Sequence, residues 1–265
     1  MRRSERVEFP GHTGQMLSGI IDLPESTPVA ACVFTHCFTC NKDLKAIVRI
    51  SRGLSALGFA VLRYDLTGLG SSRGDFSLTN FSTNQEDLVA AVHFLEQRGL
   101  PPKFLIGHSF GAACSLSLCE SLPSVLAAVS IAGPSDTQHL ADLLDRMDPE
   151  IRVRGIGAVH IGGRDYAIRQ QMLDDFRKHD LPATLRSISK PILLFHSPVD
   201  ETLGYDHVLR IFGCLSQRSA NDPEPPPASL MTIPGADHLL IRNPADLEFV
   251  TASIATWIQR CLSES

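Results

Sequence analysis

The sequence predicts an α/β fold, a mostly parallel central sheet with helices on both faces. Three observations carry this. Short, nearly all-apolar runs at 29–34, 60–64, 125–132 and 191–195 read as strands buried on both faces. Stretches with apolar residues at helical spacing alternate with them, the signature of βαβ units. Between one apolar run and one alanine-rich stretch stands Gly107-His108-Ser109-Phe110-Gly111. That G-x-S-x-G pattern, between a strand and a helix, is a nucleophile elbow.

In chain order, Val7 to Leu23 reads as a hairpin turning at Gly11-His12-Thr13-Gly14. The strand ending at Phe34 follows, then a helix from Lys45 to Leu57 that stops at Gly58. A strand from Ala60 to Tyr64 precedes a helix from Asn84 to Glu96, with Leu88, Ala91, Val92 and Leu95 on one face. Next come the elbow strand, Lys103 to Ile106, its helix from Ala112 to Leu122, and a strand from Val125 to Ala132. Strands at Pro191 to Phe195 and Leu230 to Ile233 and a helix from Asp246 to Cys261 close the pattern, with a further helix from Tyr205 to Leu215. The proline-rich 221–227 reads as a solvated loop.

Residues 133–190 interrupt the rhythm with a helical piece (139–147), a hairpin around Gly162-Gly163 and a second helical piece (169–179). The stretch is too long for a plain connection and reads as a small inserted cap. Its apolar residues Leu140, Leu143, Leu144, Met147, Met172, Leu173 and Phe176 are expected to line a pocket over the active-site edge. The whole chain, 1–265, is expected to be one domain carrying this insertion.

Composition narrows the function. With 43% hydrophobic and 20% charged residues the chain is ordinary globular protein, and a net charge of -5 points away from nucleic acid. No apolar run is long enough to span a membrane, and the charged N-terminus lacks an apolar segment behind it. A cytoplasmic location is therefore expected. Seven cysteines at irregular spacing do not resemble a disulfide framework. Cys32, Cys114 and Cys119 read as small buried hydrophobes.

The elbow chemistry asks for partners. A serine hydroxyl needs an imidazole to take its proton, and the imidazole needs a carboxylate to fix its tautomer. On this type of sheet they follow in the order serine, acid, histidine, each at a strand end. After the strand ending at Phe195 comes Asp200, and after the strand ending at Ile233 comes His238. The expected catalytic residues are Ser109, Asp200 and His238. Asp206, Asp237 and Glu201 are weaker acids by position: Asp206 opens a helix, and the other two adjoin the chosen residues. The helix after Ser109 offers the Phe110 amide to a developing oxyanion. No metal-ligand spacing is apparent, and neither a metal nor a cofactor is expected.

With these residues placed, the chain resembles the α/β-hydrolase superfamily over nearly its whole length. Residues 36–43, 63–72 and 80–84, His196-Ser197-Pro198-x-Asp200 and 236–240 look like the hydrolase half of bacterial hydrolase–OsmC fusion proteins. In those a thiol peroxidase domain follows. Here the chain stops at Ser265, after the last hydrolase helix, so the peroxidase half is expected to be absent. More distantly, the chain is similar to small-cap feruloyl and cinnamoyl esterases. The resemblance implies hydrolysis of carboxylic esters of small molecules through an acyl-enzyme. It also implies a second oxyanion donor in the loop after the Val33-Phe34 strand. His-Gly-x is frequent there, and this chain has His36-Cys37-Phe38. Phe38 should supply the amide, with Cys37 as the alternative. His36, Cys37 and His108 are expected around the substrate.

Two rivals share these residues. Acyl transfer to an acceptor other than water uses the same acyl-enzyme. A redox role could run through Cys37-Phe38-Thr39-Cys40, a C-x-x-C near a helix start. No thioredoxin-like context accompanies it, so both cysteines are expected as packing thiols, Cys37 facing the sheet and Cys40 near the next helix.

Overall fold

A computed structural model describes residues 3–217 and 228–263; the proline-rich 221–227 lies outside them. The chain opens with an antiparallel hairpin, β1 (Arg3–Pro10) and β2 (Met16–Leu23). There follow β3 (Ala30–Thr35), α1 (Lys45–Ala56), β4 (Phe59–Tyr64), α2 (Phe81–Gln97), β5 (Pro102–His108), α3 (Phe110–Cys119) and β6 (Ala127–Ile131). The segment that follows holds α4 (Gln138–Met147), α5 (Glu150–Arg154), an antiparallel ribbon of β7 (Ile156–Ile161) and β8 (Arg164–Arg169), α6 (Gln170–Lys178) and α7 (Leu181–Arg186). The chain then returns through β9 (Ile192–His196), α8 (Asp206–Ser216), β10 (Ala228–Thr232) and α9 (Pro244–Ser263).

Among the described residues, eight strands make one sheet in the order β1-β2-β4-β3-β5-β6-β9-β10, parallel from β4 onward. The apolar strands are buried on both faces because two helical layers cover them. Along β3 the side chains alternate: Ala31 and Val33 join the layer of α2 and α3, Cys32 and Phe34 the layer of α1 and α9. Cys32, Cys114 and Cys119 are free and buried.

Three differences from the sequence expectation have local causes. Helix α2 starts at Phe81, ahead of its apolar face, because Asn80 and Thr83 form a reciprocal cap. Short α5 and α7 carry too few turns to show periodicity. And α7 packs against α3 and α8, so the last part of 133–190 belongs to the sheet's helical layer.

Candidate active site

Ser109 stands between β5 and α3 with φ 52° and ψ −121°, a conformation L-residues rarely adopt. Its N–H donates to the Ile131 carbonyl at 2.8 Å, which fastens the turn to β6. Its hydroxyl does not cap α3. The flanking glycines are sterically required. A Cβ on Gly107 would lie 2.3 Å from the Gly111 carbonyl oxygen, and a Cβ on Gly111 2.3 Å from that of Thr35. So Gly111 is small because the loop after β3 crosses directly over it.

Asp200 and His238 come from loops after β9 and β10. The His238 ring lies 2.7 Å from Asp200, Nδ1 to Oδ2. The other carboxylate oxygen accepts the Thr202 and Leu203 N–H groups at 2.9 and 2.8 Å. Burial pushes the Asp200 carboxyl upward, but the His238 contact and these amides outweigh it and hold it below the usual carboxylate range. The three weaker acids are engaged elsewhere. Asp237 accepts the Ile241 and Arg242 N–H groups, Glu201 faces Arg242, and exposed Asp206 pairs with Arg210.

His36 and His108 do not line the cavity that holds Ser109, contrary to the expectation that they surround the substrate. Both are buried and committed to backbone. The His108 ring nitrogen Nε2 lies 2.8 Å from the His238 carbonyl oxygen, so it donates there. Its Nδ1 is buried with no hydrogen-bond partner among the described residues. Burial, with the neighbouring His238, pushes the His108 imidazole down to about 3 and keeps it neutral. His36 accepts the Leu66 N–H at Nε2 and donates from Nδ1 to the Cys37 carbonyl. It pins the start of the loop after β3.

The far end of that loop is held by charge. The buried Asp65 carboxylate accepts the Lys42 amide and ammonium at 2.6 and 2.8 Å and the Ser71 amide at 2.8 Å. Arg63, fully buried, bonds Asp22, Asp43 and the Lys42 carbonyl. Between these anchors, Cys37 and Cys40 form a disulfide, where packing thiols were expected. The turn Cys40 N–H to Cys37 O brings the two Cα atoms within 5.3 Å, a separation that suits the bond. The Phe38 ring fixes the loop's apex by contacts with Phe76, Phe110 and Phe176.

A cavity of about 620 Å³ opens at this edge of the sheet. Ser109, Phe110, Cys37, Phe38, Cys40 and His238 share its wall with Leu140, Leu143 and Met147 from α4 and with Ile161, Arg164 and Tyr166 from the β7–β8 ribbon. Leu144, Met172, Leu173 and Phe176, expected there too, are instead sealed into the core. The ribbon touches the loop directly, since the Tyr166 hydroxyl donates to the Thr39 carbonyl at 3.1 Å. Sequence reasoning missed Arg164, Tyr166 and the Asp65–Lys42 pair. Asp65, a charged residue directly after the apolar strand β4, was the available signal for the last.

One grouping among the described residues could in principle take a metal ion: Asp136, His139 and His207, with candidate ligand atoms within 4.8 Å of one another. The lone pair of His207 Nδ1 already accepts the Ser135 N–H, and Asp136 Oδ1 accepts the His139 N–H. Two of these candidate ligand atoms therefore already serve the fold.

Residues 32–248 match the alpha/beta hydrolase family. An esterase domain from Rhodothermus marinus is 36% identical, covering 97% of this chain and 98% of that one, with a TM-score of 0.75. Est1E from Butyrivibrio proteoclasticus, solved with ferulic acid bound, is 19% identical over 97% and 99% of the two chains, with a TM-score of 0.82. The mitochondrial palmitoyl-protein thioesterase ABHD10 of Rattus norvegicus is 23% identical over 68% of this chain, a stretch that spans 61% of the rat protein. The chain belongs to the alpha/beta hydrolase family.

Proposed function

We propose that the chain is a serine hydrolase that cleaves carboxylic esters of small molecules through an acyl-enzyme. The esterase-like class rests on the family match and on the Rhodothermus esterase domain. The observation that carries the mechanism is one wall shared by strained Ser109 and by His238, whose Nδ1 is bonded to the buried Asp200 carboxylate. Ser109 attacks the ester carbonyl while His238 Nε2 takes its proton. Asp200 keeps Nδ1 protonated and stabilises the imidazolium. The amides of Phe110 and Phe38 receive the oxyanion, the first from the N-terminus of α3, the second from the anchored loop. His238 then protonates the leaving alkoxide, and water repeats the sequence to release the acid. Residues 133–179 act as a cap that shapes the acyl or alcohol site with apolar side chains of α4 and the ribbon. A thioester is a second substrate form for the same steps, favoured by the likeness to the rat thioesterase.

A fluorophosphonate probe should label the wild type and leave Ser109→Ala unlabelled, and a graded panel of p-nitrophenyl esters should be hydrolysed by the wild type only. Equal labelling of both proteins would overturn the assignment.

A further inference from the structure

The β7–β8 ribbon obeys strand alternation with one exception. Its register pairs Val159 with Tyr166 and Ile161 with Arg164, so these four side chains share one face. That face looks inward: Val159 is buried and Ile161, Arg164 and Tyr166 line the cavity. The opposite face is solvated, and there the His160 ring lies 2.7 Å from the Asp165 carboxylate. The inward face of such a ribbon should be apolar throughout. Arg164 breaks the pattern at the open end.

The arginine is also uncompensated. Among the described residues, no aspartate or glutamate lies on the cavity wall, and Arg164 is the wall's single lysine or arginine. Among the described residues it has no ion pair and no side-chain hydrogen bond, whereas Arg63, Arg98, Arg152, Arg154 and Arg177 all face carboxylates. A guanidinium presents a planar fork that binds a carboxylate or phosphate through two parallel N–H donors. Arg164 is exposed at the rim, so an anion meeting it keeps part of its hydration, and the desolvation cost stays small.

We propose that Arg164 is a specificity residue that pairs with an anionic group on the substrate. The preferred substrates are then esters or thioesters with an apolar body beside the scissile bond and a carboxylate or phosphate remote from it. This rests on the hydrolase reading above. The apolar body lies along Leu140, Leu143, Met147 and Ile161, and the anion reaches the ribbon tip.

Two matched pairs of probes test this and separate the two anion sources. Mono-p-nitrophenyl adipate against p-nitrophenyl heptanoate carries a carboxylate on the acyl side. Hexanoyl-coenzyme A against hexanoyl-N-acetylcysteamine carries phosphate on the leaving group. The wild type should favour the charged member of at least one pair by about tenfold or more in kcat/KM, the scale of a charge-assisted hydrogen bond. Arg164→Gln should remove that preference by slowing the charged member alone, Arg164→Lys should keep part of it, and added salt should shrink it. Equal wild-type rates within both pairs, or a preference that survives in Arg164→Gln, overturn the proposal while leaving the hydrolase reading intact. Failure of the wild type on every probe overturns both.

Discussion

The ring of His108 holds the main chain of His238, with Nε2–H donating to the His238 carbonyl oxygen at 2.8 Å. The residue beside Ser109 thereby sets the height of His238, the proposed base, above the sheet. His108→Gln, which keeps a donor, should retain more turnover than His108→Leu, which has none. For His108→Leu we expect kcat to fall by roughly tenfold, the scale of one buried hydrogen bond, with KM little changed. Steady-state kinetics on one chromogenic ester checks this.

The same histidine shapes acid stability. Burial holds His108 at about 3 and His207 at about 4, whereas an unfolded histidine titrates near ~6.5. Between those values the unfolded chain binds protons that the folded one refuses, so stability falls as pH drops below ~6.5, by at most ~1.4 kcal/mol per pH unit for each histidine. Above that pH neither contributes a slope. Denaturant melts at neutral and mildly acidic pH should show a smaller loss in His108→Gln than in the wild type.

Ser109 stores strain. A glycine there adopts φ 52° without a Cβ penalty. Ser109→Gly should therefore be more stable than Ser109→Ala by about 1–3 kcal/mol, and both should be inactive. A melting comparison of the two inactive variants isolates the backbone term. Gly111→Ala should go the other way and fold poorly, since its Cβ would meet the Thr35 carbonyl at 2.3 Å.

Asp200→Asn should lower kcat by up to ~10⁴, because an amide facing Nδ1 no longer fixes the required tautomer. Asp206→Asn, at an exposed position paired with Arg210, should cost almost nothing. If the ranking were reversed, the acid would have been misassigned.

The Cys37–Cys40 bond lies across the residue proposed to give an oxyanion amide. Reduction should loosen Phe38 and lower kcat toward, without reaching, the roughly 10²–10³ loss of a deleted oxyanion donor. Activity should return on reoxidation, and the Cys37→Ala, Cys40→Ala protein should ignore dithiothreitol.

The meeting of Ser109, Asp200 and His238 at one edge of the sheet is legible in the sequence because each stands where an apolar run ends, and strand ends are where this type of sheet gathers its side chains. The parallel sheet is legible for a related reason, since strands covered on both faces have no polar alternation to confuse with a helix. The roles of His36 and His108 are not legible. A histidine beside a catalytic residue has the same sequence signature whether its ring faces a substrate or a backbone carbonyl, and tertiary packing decides. The pairing of Cys37 with Cys40 is permitted by the spacing but depends on the turn between them. Arg164 reads as one more surface charge until the register of the ribbon puts it opposite Ile161.

The bond from the Tyr166 hydroxyl to the Thr39 carbonyl joins the inserted ribbon to the loop that crosses the elbow. That single contact limits how the protein can diverge. A lineage that exchanged the ribbon for one with different walls would disturb Thr39, and with it the neighbouring amide of Phe38. Under the proposed mechanism, a change in substrate preference would carry a change in catalytic power with it. Grafting this insertion onto a sister scaffold would succeed only if the recipient's crossing loop travelled with it.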